Sequence, residues 1–247
     1  HDPRDFGNGL DHAANNETGV VQPIAEIARI VKAAGGVLVL DAVQVAGRVP
    51  LDISTGCGDF LILSSHKIGG PKGAGAVIGV SDLMMPKPLI RGGGQERGFR
   101  AGTENLPAIA GFGAAAREAL AGLAGMDAVR ARRDAIEASV RELVPDACFY
   151  GAGAERLPNT SFFSMPGMKA ETGQIAFDLA GVALSAGSAC SSGRVGPSHV
   201  LKAMGFDEAA GALRVSIGLS TTEQDVVRFR AALAGIAARR SAKDRAA

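Results

Sequence analysis

The chain has 247 residues, enough for one large or two modest domains with a sizeable buried core. Its 26 basic and 25 acidic side chains leave a formal charge of +1, which argues against a broad electrostatic surface for nucleic acid or anionic membranes. With no Trp and one Tyr, the chain also lacks the aromatic residues on which single-stranded bases stack. These features favour small-molecule chemistry in a soluble globular protein.

The three cysteines, Cys57, Cys148 and Cys190, form neither a C-x-x-C pair nor an even set. This pattern argues against disulfides and a zinc site, and it is typical of a reducing compartment such as the cytoplasm. The longest apolar runs have the length of strands and are too short to span a bilayer, and no signal peptide is recognised. The first residue is His1 rather than Met, which indicates a piece of a longer protein.

The first predicted elements are a helix and two strands. The helix begins at Pro23, a favoured first residue, and ends at the glycine pair 35–36. Two apolar runs, Val37–Leu40 and Phe60–Leu63, predict strands of a parallel sheet that is covered on both faces. Asp41 follows the first strand and Lys67 follows the second. Because open α/β sheets bind ligands at the carboxyl ends of their strands, we expect a site there.

The second half of the chain alternates helices and strands. Segment 91–103 is rich in glycine and charge, which predicts a functional loop. Helices are then predicted at 106–121, 126–144, 171–179 and 198–204, strands at 160–165, 182–185 and 213–217, and a final helix with Thr221 and Gln224 as its capping box. We predict an α/β fold of two domains: 1–120, with a mainly parallel sheet, and 121–247, a smaller α+β domain.

Two residues suggest a thiol and an amine acting on one substrate. Cys190 lies in the run of small residues 185–193, where a thiol can approach a ligand, and Lys67 stands where carbonyl cofactors are bound covalently. Each has an ordinary alternative. A cysteine can be a small buried apolar residue, which suits Cys57 and Cys148 better, and the lysine can be an exposed loop residue.

Six motifs carry a resemblance to a known family. In chain order they are Ala14–Gly19 (ANNETG), Asp41–Gln44 (DAVQ), Ser64–Lys67 (SSHK), Gly92–Arg97 (GGGQER), Arg100–Asn105 (RAGTEN) and Ser188–Ser191 (SACS). The set resembles that of cysteine desulfurases, class-V members of the pyridoxal-phosphate aminotransferase superfamily, and above all the iron–sulfur and nitrogenase-maturation subgroup. The resemblance implies a fold-type-I transferase with pyridoxal 5'-phosphate as cofactor and L-cysteine as substrate.

The resemblance assigns cofactor roles to residues of the first predicted domain, Asn16 among them. Lys67 is similar to the lysine that binds pyridoxal phosphate covalently and moves the substrate's α-proton, and Asp41 to the carboxylate that pairs with the pyridine nitrogen. Gln44 and Asn16 match residues that bind the ring oxygen or nearby substrate groups. Turn or cap roles are the ordinary alternatives for this aspartate and these amides.

Further roles concern the phosphate and the substrate. Ser64 and His66 match phosphate ligands. Thr103 matches a residue that reaches the phosphate in the partner subunit, which implies a homodimer; its alternative is to cap the helix from Leu106. Arg214 resembles the arginine that binds the substrate carboxylate. Leu219 stands where many relatives carry a second arginine.

Cys190 is similar to the nucleophile of the family. There the thiolate takes the sulfur of L-cysteine, releases L-alanine and passes the sulfur to a scaffold or other acceptor protein. A selenocysteine lyase uses related residues and stays an alternative. An aminotransferase or a kynureninase is a further alternative, although it leaves Cys190 unexplained.

The resemblance also has a gap. Family members carry an upstream Gly-Ala-Thr-type phosphate turn and a histidine that stacks on the cofactor, neither of which is identified before Asn15. Because a helix N-terminus supplies much of the attraction for a phosphate, we expect weaker cofactor binding. The chain is then either part of a complete enzyme or a non-catalytic remnant that retains a dimerisation or partner surface.

Overall fold

The computed structural model describes residues 8–187, 198–206 and 211–244. They divide into two compact units. The first holds the described residues up to Ala14 and Val21–Leu123, and the second holds Asn15–Val20 and the described residues from Ala124 onward. The segment Asn15–Val20, which the sequence analysis placed in the first domain, therefore belongs to the second unit. The large-domain and small-domain roles of the units stay a prediction.

The first unit is built on a four-stranded sheet in the order β1-β2-β3-β4. The strands are β1 (Asn8–His12), β2 (Val37–Asp41), β3 (Phe60–Ser64) and β4 (Gly75–Gly79). β1, β2 and β3 are parallel, and β4 is antiparallel to β3. The predicted parallel arrangement of the two apolar runs is confirmed.

Two α-helices accompany this sheet, α1 (Ile24–Ala33) and α2 (Leu106–Gly122). Ala28 and Val31 of α1 pack on Leu38 of β2 in one buried cluster. Burial of an aliphatic side chain of this size stabilises the fold by about 1.5–3 kcal/mol. α1 ends before Gly35, whose φ of +71° is the left-handed conformation common after a helix.

The second unit is built on an antiparallel sheet with the strand order β5-β6-β8-β7. Its elements are α3 (Met126–Leu143), β5 (Cys148–Phe149), β6 (Thr160–Ser164), α4 (Ala170–Leu179), β7 (Ser185–Ala186), α5 (His199–Ala203), β8 (Leu213–Ser216) and α6 (Glu223–Asp244). Strands and helices thus share this unit, as the α+β prediction requires.

The core of the second unit lies between its sheet and three of its helices. Phe163 of β6 packs in one cluster with residues of α3, α4, β8 and α6. Within that cluster Phe177 of α4 stacks on Phe229 of α6, with ring centroids 5.3 Å apart. Phe162, the neighbour of Phe163, belongs to another cluster with Tyr150 and Leu201. The side chains of successive strand residues therefore pack on opposite faces of the sheet.

Several local predictions were wrong. The strand predicted at 182–185 is only Ser185–Ala186, and β1, β4 and β5 were not predicted. The capping box of α6 is formed by Thr222 and Asp225 rather than one residue earlier, since each backbone N–H bonds the other's side chain. Cys57 and Cys148 are both half-buried, and only Cys148 of the two packs against a described core cluster, that of Tyr150 and Phe162. Across the described ranges, no helix has both the length and the apolarity that crossing a membrane requires.

Candidate functional site

The candidate site of the first unit lies where β2 and β3 end. These parallel neighbours pair Asp41 with Ile62, so the residues that follow each strand emerge at the same edge of the sheet. Asp41 is the last residue of β2, and Ser64 is the last residue of β3. The strand register thus brings together the two predicted motifs that contain Asp41 and Lys67.

The Asp41 carboxylate is held from two sides. Its Oδ1 accepts a hydrogen bond from the backbone N–H of Val43 at 3.0 Å, and its Oδ2 lies 3.6 Å from Nδ1 of His12. His12 pairs with Asp41 in the register of β1 on β2. The sequence analysis did not single out this histidine, because its proximity depends on pairing between residues far apart in the chain.

The Lys67 turn is a short 3-10 helix, Ser65–Lys67, directly after β3. The carbonyl of Ser65 accepts hydrogen bonds from the N–H groups of Ile68 and Gly70, at 3.1 and 3.0 Å. Ser64 Oγ lies 2.9 Å from Nδ1 of His66, so these two predicted phosphate ligands contact each other. The turn holds Lys67, which is half-buried, at the edge of the sheet.

Gln44 lies in the turn that follows β2. Its backbone carbonyl accepts a hydrogen bond from Nη1 of Arg48 at 3.1 Å, while Nη2 of Arg48 donates to the carbonyl of Lys67 at 3.0 Å. Burial lowers the pKa of the Arg48 guanidinium. The two turns that carry the predicted cofactor residues are therefore joined by one side chain.

Thr103 is exposed at the end of the glycine-rich loop. This loop holds Glu96 and Arg97 at φ of 48° and 56°, a left-handed conformation that is uncommon outside glycine. The N-cap of α2 is Asn105, whose Oδ1 accepts from the N–H of Ala108 at 3.2 Å. The alternative role for Thr103, capping this helix, was therefore wrong.

Asn16 and Arg214 come together in the second unit. Nη1 of Arg214, on β8, donates to the backbone carbonyl of Asn16 at 2.7 Å, and its Nη2 lies 3.3 Å from Ser185 Oγ. Glu17, which follows Asn16 in the chain, is buried and accepts a hydrogen bond from Ser198 Oγ at 2.5 Å. Cys190 lies outside the described residues.

The structure thus groups the predicted residues within each unit. Two adjacent strands of the first unit carry most of these residues at or just after their last positions, namely Asp41, Gln44, Ser64, His66 and Lys67, whereas Asn16 and Arg214 meet in the second unit. In the part of the chain that the structure describes, no group of three or more His, Cys, Asp and Glu residues could hold a metal ion.

Comparisons with known proteins identify the family of the chain. The sequence model of the family "Aminotransferase class-V" matches residues 12–229. A cysteine desulfurase of Cereibacter sphaeroides is 44% identical over 218 residues, which are 87% of this chain and 56% of that protein. The cysteine desulfurase NifS of Azotobacter vinelandii is 42% identical over 87% of this chain and 54% of that protein. The chain therefore spans little more than half the length of these curated relatives.

Solved structures give the same result for the fold. The X-ray structure of a NifS-like protein from Rickettsia africae has a TM-score of 0.84 and 35% identity, over 93% of this chain and 61% of that one. The predicted fold, that of fold-type-I pyridoxal-phosphate transferases, is confirmed. Because the family match extends over most of the sequence, the chain belongs to the class-V aminotransferase family.

Proposed function

We propose that this chain carries the central residues of a cysteine desulfurase, which takes sulfur from L-cysteine and releases L-alanine. The observation that carries the proposal is the position of Asp41 and the Lys67 turn at the ends of two adjacent parallel strands. Relatives at 42–44% identity that are named cysteine desulfurases support this reaction among those of the family.

The donor set of the first unit fits pyridoxal 5'-phosphate. An amine suits the aldehyde of the cofactor, a carboxylate suits its pyridine nitrogen, and a hydroxyl beside an imidazole suits its phosphate. Lys67, Asp41, Ser64 and His66 supply these groups, with Thr103 reaching the phosphate in a partner subunit. When bound, the cofactor withdraws electrons from the α-carbon of an amino acid.

Asp41, whose carboxylate is oriented by Val43 N–H and lies 3.6 Å from Nδ1 of His12, would hold a proton on the pyridine nitrogen. Lys67 moves the α-proton of the substrate, for which a side chain at a fixed strand end is suited. Gln44 and Asn16 bind the ring oxygen and nearby substrate groups. Arg214, oriented by the Asn16 carbonyl, binds the substrate carboxylate.

Cys190 accepts the sulfur. Its thiolate attacks the sulfur of the bound L-cysteine, an S–S bond forms and the C–S bond breaks. The carbon that loses sulfur takes up a proton, so the products are L-alanine and a persulfide on Cys190. We propose that a scaffold or other acceptor protein then receives this sulfur, for iron–sulfur cluster assembly in the cytoplasm.

The protein acts as a homodimer in this proposal. Thr103 is exposed, and the chain segment before it carries several exposed large apolar side chains, including Leu83 and Leu89. A surface with several exposed apolar side chains is typical of a contact with another protein. A second copy of the chain is the partner that the role of Thr103 requires.

The test begins with pyridoxal phosphate binding. The purified chain is titrated with the cofactor and its visible absorbance is recorded beside that of Lys67→Ala. We expect a band in the unmodified chain that the variant lacks. L-cysteine is then added, and L-alanine is measured together with the mass of the Cys190 peptide, which should increase by one sulfur.

Cys190→Ala is the matched variant for the sulfur step. It should keep the absorbance band and lose both the added sulfur and L-alanine release. Full activity of Cys190→Ala would instead favour an aminotransferase or kynureninase reaction. If no band forms in the unmodified chain, it is a non-catalytic remnant or needs further protein. Preference for L-selenocysteine in the same assay would identify a selenocysteine lyase.

A further inference from the structure

Arg48 donates hydrogen bonds to two separate turns of the first unit. Its Nη1 donates to the carbonyls of Gln44 and Ala46, at 3.1 and 3.2 Å, and its Nη2 donates to the carbonyl of Lys67 at 3.0 Å. The first two carbonyls follow β2, and the third follows β3. The planar guanidinium therefore bridges the turns on both sides of the strand-end site.

The charge of Arg48 is an unusual feature of this bridge. Burial lowers the pKa of its guanidinium, and none of the ion pairs between described residues involves Arg48. Arg48 is half-buried and donates to neutral carbonyls, so its cation loses part of its hydration without a counter-charge, which costs free energy. Stability alone therefore does not explain an arginine here.

The backbone next to Arg48 is closely packed. Gly47 has φ of +69°, and a Cβ atom at this position would lie 2.8 Å from Cβ of Ala119 on α2. The turn after β2 is therefore pressed against a helix, which fixes where the Arg48 side chain begins. From this point a fork with several N–H donors can reach two turns at once, whereas a lysine offers a single nitrogen.

We propose that Arg48 is a positioning residue that fixes the Gln44 turn against the backbone of Lys67. The inference rests on the proposed function, because Gln44 and Lys67 are the residues that would flank the cofactor. A shift of about 1 Å in such groups can cost about 100-fold in catalysis. One side chain that ties both backbones limits that shift.

The test uses Arg48→Met and Arg48→Lys, with Lys32→Met as the matched control. Lys32 is also a cation that donates to a backbone carbonyl of this unit, that of Gly56 at 3.3 Å, but it lies on α1. Hydrogen exchange in the unliganded chain is followed in peptides from 42–48 and 64–70. In Arg48→Met both should exchange about tenfold faster or more, since hydrogen bonds to a charged donor are lost. Lys32→Met should leave both unchanged.

Cofactor binding is the second readout. Arg48→Met should raise the dissociation constant for pyridoxal phosphate about tenfold or more. Arg48→Lys keeps the charge but loses the fork, and should resemble Arg48→Met more than the unmodified chain. The melting temperature of the unliganded chain should change little.

The outcomes separate this inference from the proposed function. If the unmodified chain binds no pyridoxal phosphate, the proposed function fails for this chain by itself, and Arg48 is then judged by hydrogen exchange alone. Unchanged exchange in the 64–70 peptide of Arg48→Met overturns the positioning role. Faster exchange throughout the first unit, with a lowered melting temperature, overturns it as well, because that result identifies a general structural role.

Discussion

Glu137 is the centre of a buried charged cluster in the second unit. Its Oε1 accepts from Arg156 at 2.7 Å and from Ser161 Oγ at 2.8 Å, and its Oε2 accepts from Arg156 at 3.2 Å and from Arg141 at 3.1 Å. Burial by itself would raise the pKa of this carboxyl. The hydrogen bonds from Arg156 and Ser161, with the charges of Arg156 and Arg133, outweigh burial and lower the pKa.

Replacing Glu137 by Gln should therefore destabilise the second unit strongly. The guanidinium of Arg156, itself buried, would lose its counter-charge, which typically costs about 3–5 kcal/mol. Urea unfolding near neutral pH measures the change in the free energy of unfolding. Glu142→Gln is the matched control on the same helix, because its ion pair with Arg230 is exposed and should contribute little. Equal effects of both variants would contradict the argument.

The stability that Glu137 contributes should depend on pH. Because the pKa of folded Glu137 is lowered, its stabilisation is complete above the ordinary glutamate pKa of about 4.3 and is lost as the pH falls through the lowered value. The stability difference between the unmodified chain and Glu137→Gln should therefore narrow below about pH 4. A difference that stays constant down to the acid end of the titration would be inconsistent with a lowered pKa.

The start of α2 gives a test at the scale of one element. Asn105 caps this helix, whereas Thr103, two residues earlier, makes no part of the cap. Asn105→Ala should lower stability by about 1 kcal/mol, the usual cost of losing a side-chain cap. Thr103→Ala should leave stability unchanged but weaken cofactor binding in a dimer. Thermal unfolding measures the stability of both variants. If Thr103→Ala lowered the melting temperature as much as Asn105→Ala, the assignment of the cap to Asn105 alone would be wrong.

Helices were the elements that the sequence predicted best. The helical patterns at 106–121 and 126–144 correspond to α2 and α3 within one residue at each end, because apolar periodicity and flanking glycines act locally. Strand β4, Gly75–Gly79, was not predicted, since a short run between glycines has no period of its own and gains its hydrogen bonds from β3. Short strands such as β7 likewise depend on their neighbours.

For the whole molecule, the order of motifs along the chain predicted the fold and the edge of the sheet that carries the candidate site. Side-chain contacts across that edge could not be predicted. The contact of His12 with Asp41 depends on the register of β1 on β2, and the bridge of Arg48 depends on two turns meeting after pairing. The sequence also did not reveal that Asn15–Val20 belongs to the second unit, where it meets Arg214. Such contacts join residues distant in sequence.

The association state is the last prediction, and it concerns the chain as a whole. Leu83 and Leu89 are 94% and 97% exposed, so an acidic residue at either position should not disturb folding. If a second copy covers them, burying two carboxylates without partners would oppose association. Sedimentation velocity should therefore show a dimer for the unmodified chain and a monomer for L83E/L89E. Leu179→Glu, at a leucine of the second unit that is 84% exposed, should stay dimeric. A monomeric unmodified chain, or a dimeric L83E/L89E, would contradict the proposed homodimer surface.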